Sequence, residues 1–127
     1  EGPGMNLVDS SGWLEYFADG RNAEFFSVPI EDTGNCILSA VNIYEVFRKL
    51  LTERDEQTAL QIIAVMHQCR IQPVDEQVAL SAAKISHELK LPIADGIILA
   101  TARLHEAVLW TQDADFKDIE GVRYIRK

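Results

Sequence analysis

The run Leu91-Pro92-Ile93-Ala94-Asp95-Gly96-Ile97-Ile98-Leu99-Ala100-Thr101-Ala102 constrains the fold more than any other stretch. Pro92 pre-sets a helical φ in the first turn of a helix read as Pro92–Glu106. Beyond Ile97 this helix is apolar on nearly every face, which predicts burial against a sheet. Its first turn nevertheless carries Asp95, on the same face as Leu99 and Ala102 at the helical period. Lys90 is the sole basic residue within seven positions of it. A carboxylate taken out of water needs a cation, donors or a metal. The field at a helix N-terminus contributes at most about 1 kcal/mol, so the partner of Asp95 must come from elsewhere in the chain.

The rest of the sequence supplies the layers. Met5 to Val8 reads as a buried strand stopping at Asp9, followed by helical spacing at Trp13, Leu14 and Phe17. Ala23 to Phe26 reads as a short helix closed by Pro29. Cys36-Ile37-Leu38 is a second strand. Ser39 then caps a helix with Ile43, Val46, Phe47, Leu50 and Leu51 on one stripe. A long helix follows from about Asp55 to Cys69. Pro73 places the short strand Ile71–Val74 at an edge. Asp75 caps a helix striped by Val78, Ala82, Ile85 and Leu89. Ala107–Thr111 is a fourth strand, and Val122–Ile125 a fifth after the turn at Glu120-Gly121. Strands alternating with helices predict an α/β domain with a mainly parallel sheet covered on both faces.

Length and composition bound the function. The 127 residues suit a single domain over 5–127, with Glu1-Gly2-Pro3-Gly4 read as a tag remnant at 1–4. No apolar run approaches the ~18 residues of a membrane span, and no signal-peptide pattern opens the chain, so a cytoplasmic protein is expected. The formal charge of −8 argues against a broad basic face that grips nucleic acid. It leaves open a phosphate held through a metal. Cys36 and Cys69 lack a CxxC pattern and read as reduced thiols. His67, His87 and His105 form no pair at zinc-ligand spacing.

In an open α/β sheet, ligands bind beyond the carboxyl ends of the strands, where the strand order reverses. Asp9 ends the first strand, and Asp113 and Asp115 follow the fourth. Each acid also has a plainer reading. Asp9 suits a helix cap, Asp95 a helix-dipole partner and Asp113 an Asx-turn. Glu45 lies opposite the apolar stripe of its helix with Lys49 at i+4, the pattern of a solvated ion pair. If the first and fourth strands are neighbours, these acids converge instead. Carboxylates that close push protons onto one another unless a cation compensates them. Oxygen-only ligands select Mg²⁺ or Mn²⁺ rather than zinc. Such an ion suits phosphodiester hydrolysis by water.

The segments Val8-Asp9-Ser10-Ser11-Gly12-Trp13, Ile43-Tyr44-Glu45-Val46, Pro92 to Ala102 and Thr111-Gln112-Asp113-Ala114-Asp115-Phe116 carry a family likeness. From Met5 onward the chain resembles PIN-domain nucleases, and in particular VapC-type toxins of toxin–antitoxin pairs. The resemblance implies a three-layer α/β/α sandwich with a five-stranded parallel sheet. It also implies Mg²⁺- or Mn²⁺-dependent cleavage of RNA. Asp9, Glu45 and Asp95 match three family acids; Asp113 matches the fourth, with Asp115 the second choice. For Glu45 the resemblance displaces the ion-pair reading. Ser10 and Thr111 match hydroxyl positions beside the site.

By this likeness Asp9, Asp95 and Asp113 hold a metal, and Glu45 completes the pocket or steers the attacking water. The products then carry a 5′-phosphate and a 3′-hydroxyl. The likeness further implies a small antitoxin. Its helix would lie on the segments Ile43–Leu51 and Leu60–Met66, with Trp13 and Phe17 nearby. Such toxins commonly form homodimers. Three other readings remain at this stage: an RNA-processing nuclease with no antitoxin, the same fold with a dead site, and a Mg²⁺-binding receiver-like signalling module.

Overall fold

In the computed structural model, which describes residues 4–127, five short strands form one parallel sheet. Residues 1–3 of the expected tag remnant lie outside the described residues. The strands are β1 (Asn6–Val8), β2 (Cys36–Ser39), β3 (Arg70–Gln72), β4 (Val108–Thr111) and β5 (Val122–Tyr124). Their order is β3-β2-β1-β4-β5. The chain steps outward from β1 to β3 and returns on the other side of β1 at β4, so the order reverses between β1 and β4. Val8 pairs with Trp110 there, and the Asp9 N–H donates to the Trp110 carbonyl at 2.9 Å. A receiver module with order 2-1-3-4-5 is excluded by this topology.

Among the described residues, six helices cover the sheet: α1 (Ser10–Phe17), α2 (Ala23–Glu31), α3 (Ala40–Glu53), α4 (Glu56–Met66), α5 (Glu76–Leu89) and α6 (Ile93–Leu104). Strand side chains alternate between faces, and each central strand feeds both layers. Leu7, Ile37 and Leu109 join the α5–α6 side with Ile98, Leu99 and Phe116. Val8, Leu38 and Trp110 join the opposite side with Trp13, Phe26, Val46 and Met66. The expected three-layer sandwich follows from that alternation. Cys36 and Cys69 are buried free thiols.

Local chemistry set most helix ends as expected. Asp55 and Asp75 accept from the Thr58 and Val78 N–H groups at 2.8 and 3.0 Å. Several boundaries differ, among them the end of α4, at Met66 rather than Cys69. Pro29 does not close α2, which runs through it to Glu31. Phe26, Pro29 and Ile30 are buried together there, and that apolar burial outweighs one missing helical hydrogen bond. Pro92 is the N-cap of α6 rather than its first helical residue, with ψ 161°. β3 ends at Gln72, before Pro73, on the sheet edge as expected.

Gly96 lets α6 approach α5. A Cβ there would collide with Ser86 Oγ and lie 3.0 Å from the Ala82 carbonyl oxygen. Gly96→Ala is therefore expected to cost roughly 1–3 kcal/mol, as overpacked sites do, measured as a lower urea midpoint. Adding Ser86→Ala should recover part of the loss, because the backbone contact remains.

Candidate functional site

Asp9 follows β1 and stands at the N-cap of α1, but its side chain makes no capping bond. It is 3% exposed. Its Oδ2 accepts from Ser11 Oγ at 3.0 Å and from Thr111 Oγ1 at 2.8 Å. Thr111, the buried last residue of β4, accepts in turn from the Asp113 N–H at 2.9 Å. One hydroxyl thus locks the ends of the two neighbouring strands together. Asp113 does form an Asx-turn, accepting from the Asp115 N–H at 2.9 Å. This turn aims both acids back toward α6. Asp95, Asp113 and Asp115 each offer a carboxylate oxygen within 4.8 Å of the others.

Glu45 arrives from α3. Its Oε1 accepts from Ser10 Oγ at 2.7 Å, and that hydroxyl accepts from Asn42 Nδ2 at 2.8 Å. The ion pair expected between Glu45 and Lys49 is not formed; Lys49 pairs with Glu53 at 3.0 Å. A hydroxyl delivered by the fold outcompetes an exposed i,i+4 contact worth only a few tenths of a kcal/mol. Asn42 is fully buried, and its Oδ1 also accepts from the Ser39 N–H at 2.9 Å, closing a capping box. Sequence reasoning passed over Asn42, although Ser39 with a polar side chain three residues on is a capping-box signal.

Asp9, Glu45, Asp95 and Asp113 line one cavity of about 240 Å³ together with Ser10, Ser11 and Lys49. Asp95 and Asp113 belong to both the cavity and the tight triad. Asp115 belongs to the triad, and Asp9 and Glu45 stand outside it. Burial pushes the Asp9 carboxyl up to about 6 against the hydrogen bonds from Thr111 and Ser11, which pull it down. Burial pushes Asp95 up to about 7, and the charges of Asp113, Asp9, Asp115 and Glu45 add to the rise. Among the described residues, no Lys, Arg or His forms an ion pair with any of these acids. An all-oxygen donor set in which Asp9 and Asp95 resist ionisation beside neighbouring carboxylates fits a hard divalent cation.

On the far side of α3, an apolar groove of about 560 Å³ runs between α3 and α4. Ile43, Tyr44, Phe47, Leu51, Leu60 and Ile63 line it. Tyr44 is 62% exposed and Leu60 51%. Trp13 and Phe17, expected nearby, do not line it. Trp13 is fully buried in the core with Val8, Leu38 and Trp110, and Phe17 faces a different cavity.

Comparison with known proteins agrees with this fold. No curated protein sequence matches the chain significantly. Among solved structures, a toxin–antitoxin complex from Klebsiella pneumoniae matches at 26% identity and TM-score 0.77, covering 94% of this chain and 96% of that one. A DNA-bound VapBC from Salmonella typhimurium matches at 15% identity and TM-score 0.75, covering 98% of both chains. The Mycobacterium tuberculosis toxin VapC20, described as cleaving the sarcin-ricin loop, matches at 15% and TM-score 0.74, covering 91% and 95%. The family profile of the PIN domain matches residues 7–122, a span that holds every acid of the site. By its sheet order, its acids at the strand reversal and this match, the chain belongs to the PIN-domain family.

Proposed function

We propose that the chain is a metal-dependent endoribonuclease, the toxin component of a toxin–antitoxin pair, acting in the cytoplasm. The observation that carries this reading is the convergence of Asp9, Glu45, Asp95 and Asp113 on one cavity with no protein cation paired to them. Family membership and the likeness to toxin–antitoxin structures support it. Asp9, Asp95 and Asp113, with Asp115 adjoining, are the residues that would hold Mg²⁺ or Mn²⁺. When bound, such an ion lowers the pKa of water and stabilises charge developing on a phosphate.

The chain's own residues supply the rest. Thr111 and Ser11 fix the Asp9 carboxylate so that it presents its free oxygen without reorganising. Ser10 holds Glu45 on the cavity wall outside the acid triad. Glu45 there accepts a hydrogen bond from the attacking water and orients it in line with the leaving 3′-oxygen. The expected products are a 5′-phosphate and a 3′-hydroxyl. Purified protein should cut a structured RNA in millimolar Mg²⁺ or Mn²⁺, stop on chelation, and leave ends that a 5′-phosphate-dependent exonuclease degrades. Failure to cut a mixed RNA pool with either ion overturns the reading.

The groove between α3 and α4 suits the apolar face of an amphipathic helix, here the helix of the cognate antitoxin. Leu51→Lys and Leu60→Lys change half-exposed positions and should leave the fold intact. Each is expected to weaken antitoxin binding at least about tenfold by placing a charge in an apolar anchor site. Calorimetric titration with the antitoxin checks this, and unchanged affinity in both variants would remove the groove from the interface.

A further inference from the structure

A second cavity, of about 320 Å³, opens beside the acid-lined one and shares Ser11, Leu14 and Lys49 with it. The two differ in charge. The first is walled by carboxylates, whereas the second also carries Arg54 and Lys127. Its two acids are already engaged. Glu15 accepts from the Asn22 N–H at 2.8 Å and from Gln112 Nε2 at 3.4 Å, and Glu53 pairs with Lys49 at 3.0 Å. Among the described residues, Arg54 and Lys127 have no carboxylate partner within ion-pair distance. The floor is fixed. Gln112 is 7% exposed and accepts from Asn22 Nδ2 at 2.9 Å, and that amide also donates to the Arg126 carbonyl at 3.1 Å. The same hydrogen bonds therefore tie the C-terminal segment carrying Lys127 to the loop that follows β4.

We propose that this second cavity seats the RNA backbone phosphate adjacent to the scissile one, with Arg54 and Lys127 as its cations and Lys49 at the junction. The proposal rests on the nuclease reading and adds the course of the strand. An RNA strand is polyanionic and is repelled by a protein of charge −8, so its path past the acids must follow local cations. Lys49 stands where the two cavities meet, and Arg54 and Lys127 line the second one. Glu53 acts as a brake, because its pair with Lys49 has to open or share when a phosphate arrives.

The test is steady-state cleavage of one labelled single-stranded RNA that the unsubstituted protein cuts, across a series of salt concentrations. Arg54→Ala and Lys127→Ala should each raise KM severalfold with kcat unchanged. Each should also flatten the dependence of log(kcat/KM) on log[salt] by about 0.7, the increment for one lost single-strand phosphate contact. Glu53→Gln should do the reverse, lowering KM and steepening the dependence. Lys84→Ala, on α5 and away from both cavities, is the control and should change neither. Cleavage with KM and salt slopes unaltered in Arg54→Ala and Lys127→Ala overturns the proposal and leaves the nuclease reading standing. No cleavage by the unsubstituted protein overturns the nuclease reading and this proposal with it.

Discussion

Asp95→Asn is expected to lower metal-dependent cleavage by more than about 100-fold, since loss of an outer partner of a ligand alone costs ~10–100-fold. The same substitution is expected to stabilise the metal-free protein near pH 8. Asp95 sits in the first turn of an apolar helix, and burial with four neighbouring carboxylates raises it to about 7. Ionising it in the fold therefore opposes folding, and asparagine removes that cost while keeping the shape. Loss of activity and gain of metal-free stability share one cause. A residue that merely supported the fold would lose both together. Cleavage assays and urea midpoints at pH 8 without metal check the two halves, and wild-type activity in the variant would end the assignment.

Metal-free protein is also expected to lose stability as pH rises from about 4 to about 7. The ordinary carboxyl value is 3.8, and the folded values are about 6 for Asp9 and about 7 for Asp95. Between those limits the folded state binds more protons than the unfolded one, so the unfolding free energy falls with pH. At about 1.4 kcal/mol per pH unit, Asp9 alone costs about 3 kcal/mol once ionised. Well below pH 3.8 both states are protonated and the cost is absent. Asp55 is held below its ordinary range by the Thr58 N–H it caps and titrates beneath this window. Mg²⁺ binds the ionised acids, so it should raise the urea midpoint strongly at pH 8 and weakly at pH 5. A metal-free midpoint that rises through this window would contradict the arrangement.

Much of this arrangement was legible in the residues. Asp9 and Asp113 were found because they follow β1 and β4, and a parallel sheet collects such positions where its order reverses. Asp95 was found because an apolar helix cannot bury a carboxylate alone. Glu45 was not decided by local spacing, since Lys49 has an acid four residues away in both directions. The fold chose between them by bringing Ser10 within 2.7 Å of Glu45 and pairing Lys49 with Glu53; in the sequence only the family likeness pointed away from the Glu45–Lys49 pair. Asn42 shares the buried face of α3 with Val46 and Leu50, and apolar spacing alone does not single out a buried amide there. Pro29 stops a helix by local chemistry, whereas its burial with Phe26 and Ile30, a tertiary effect absent from local sequence, carries α2 through it. Asp115 joins the triad through a single 3₁₀ turn, whose course the sequence does not specify.

Calorimetric titration of Mn²⁺ into the protein at pH 6.5, repeated in buffers of different ionisation enthalpy, reads whether the clustered acids take up a cation. Saturable binding that releases protons, that Mg²⁺ displaces and that Asp95→Asn abolishes is the outcome the account requires. Absence of binding, or binding that Asp95→Asn leaves unchanged, would contradict it.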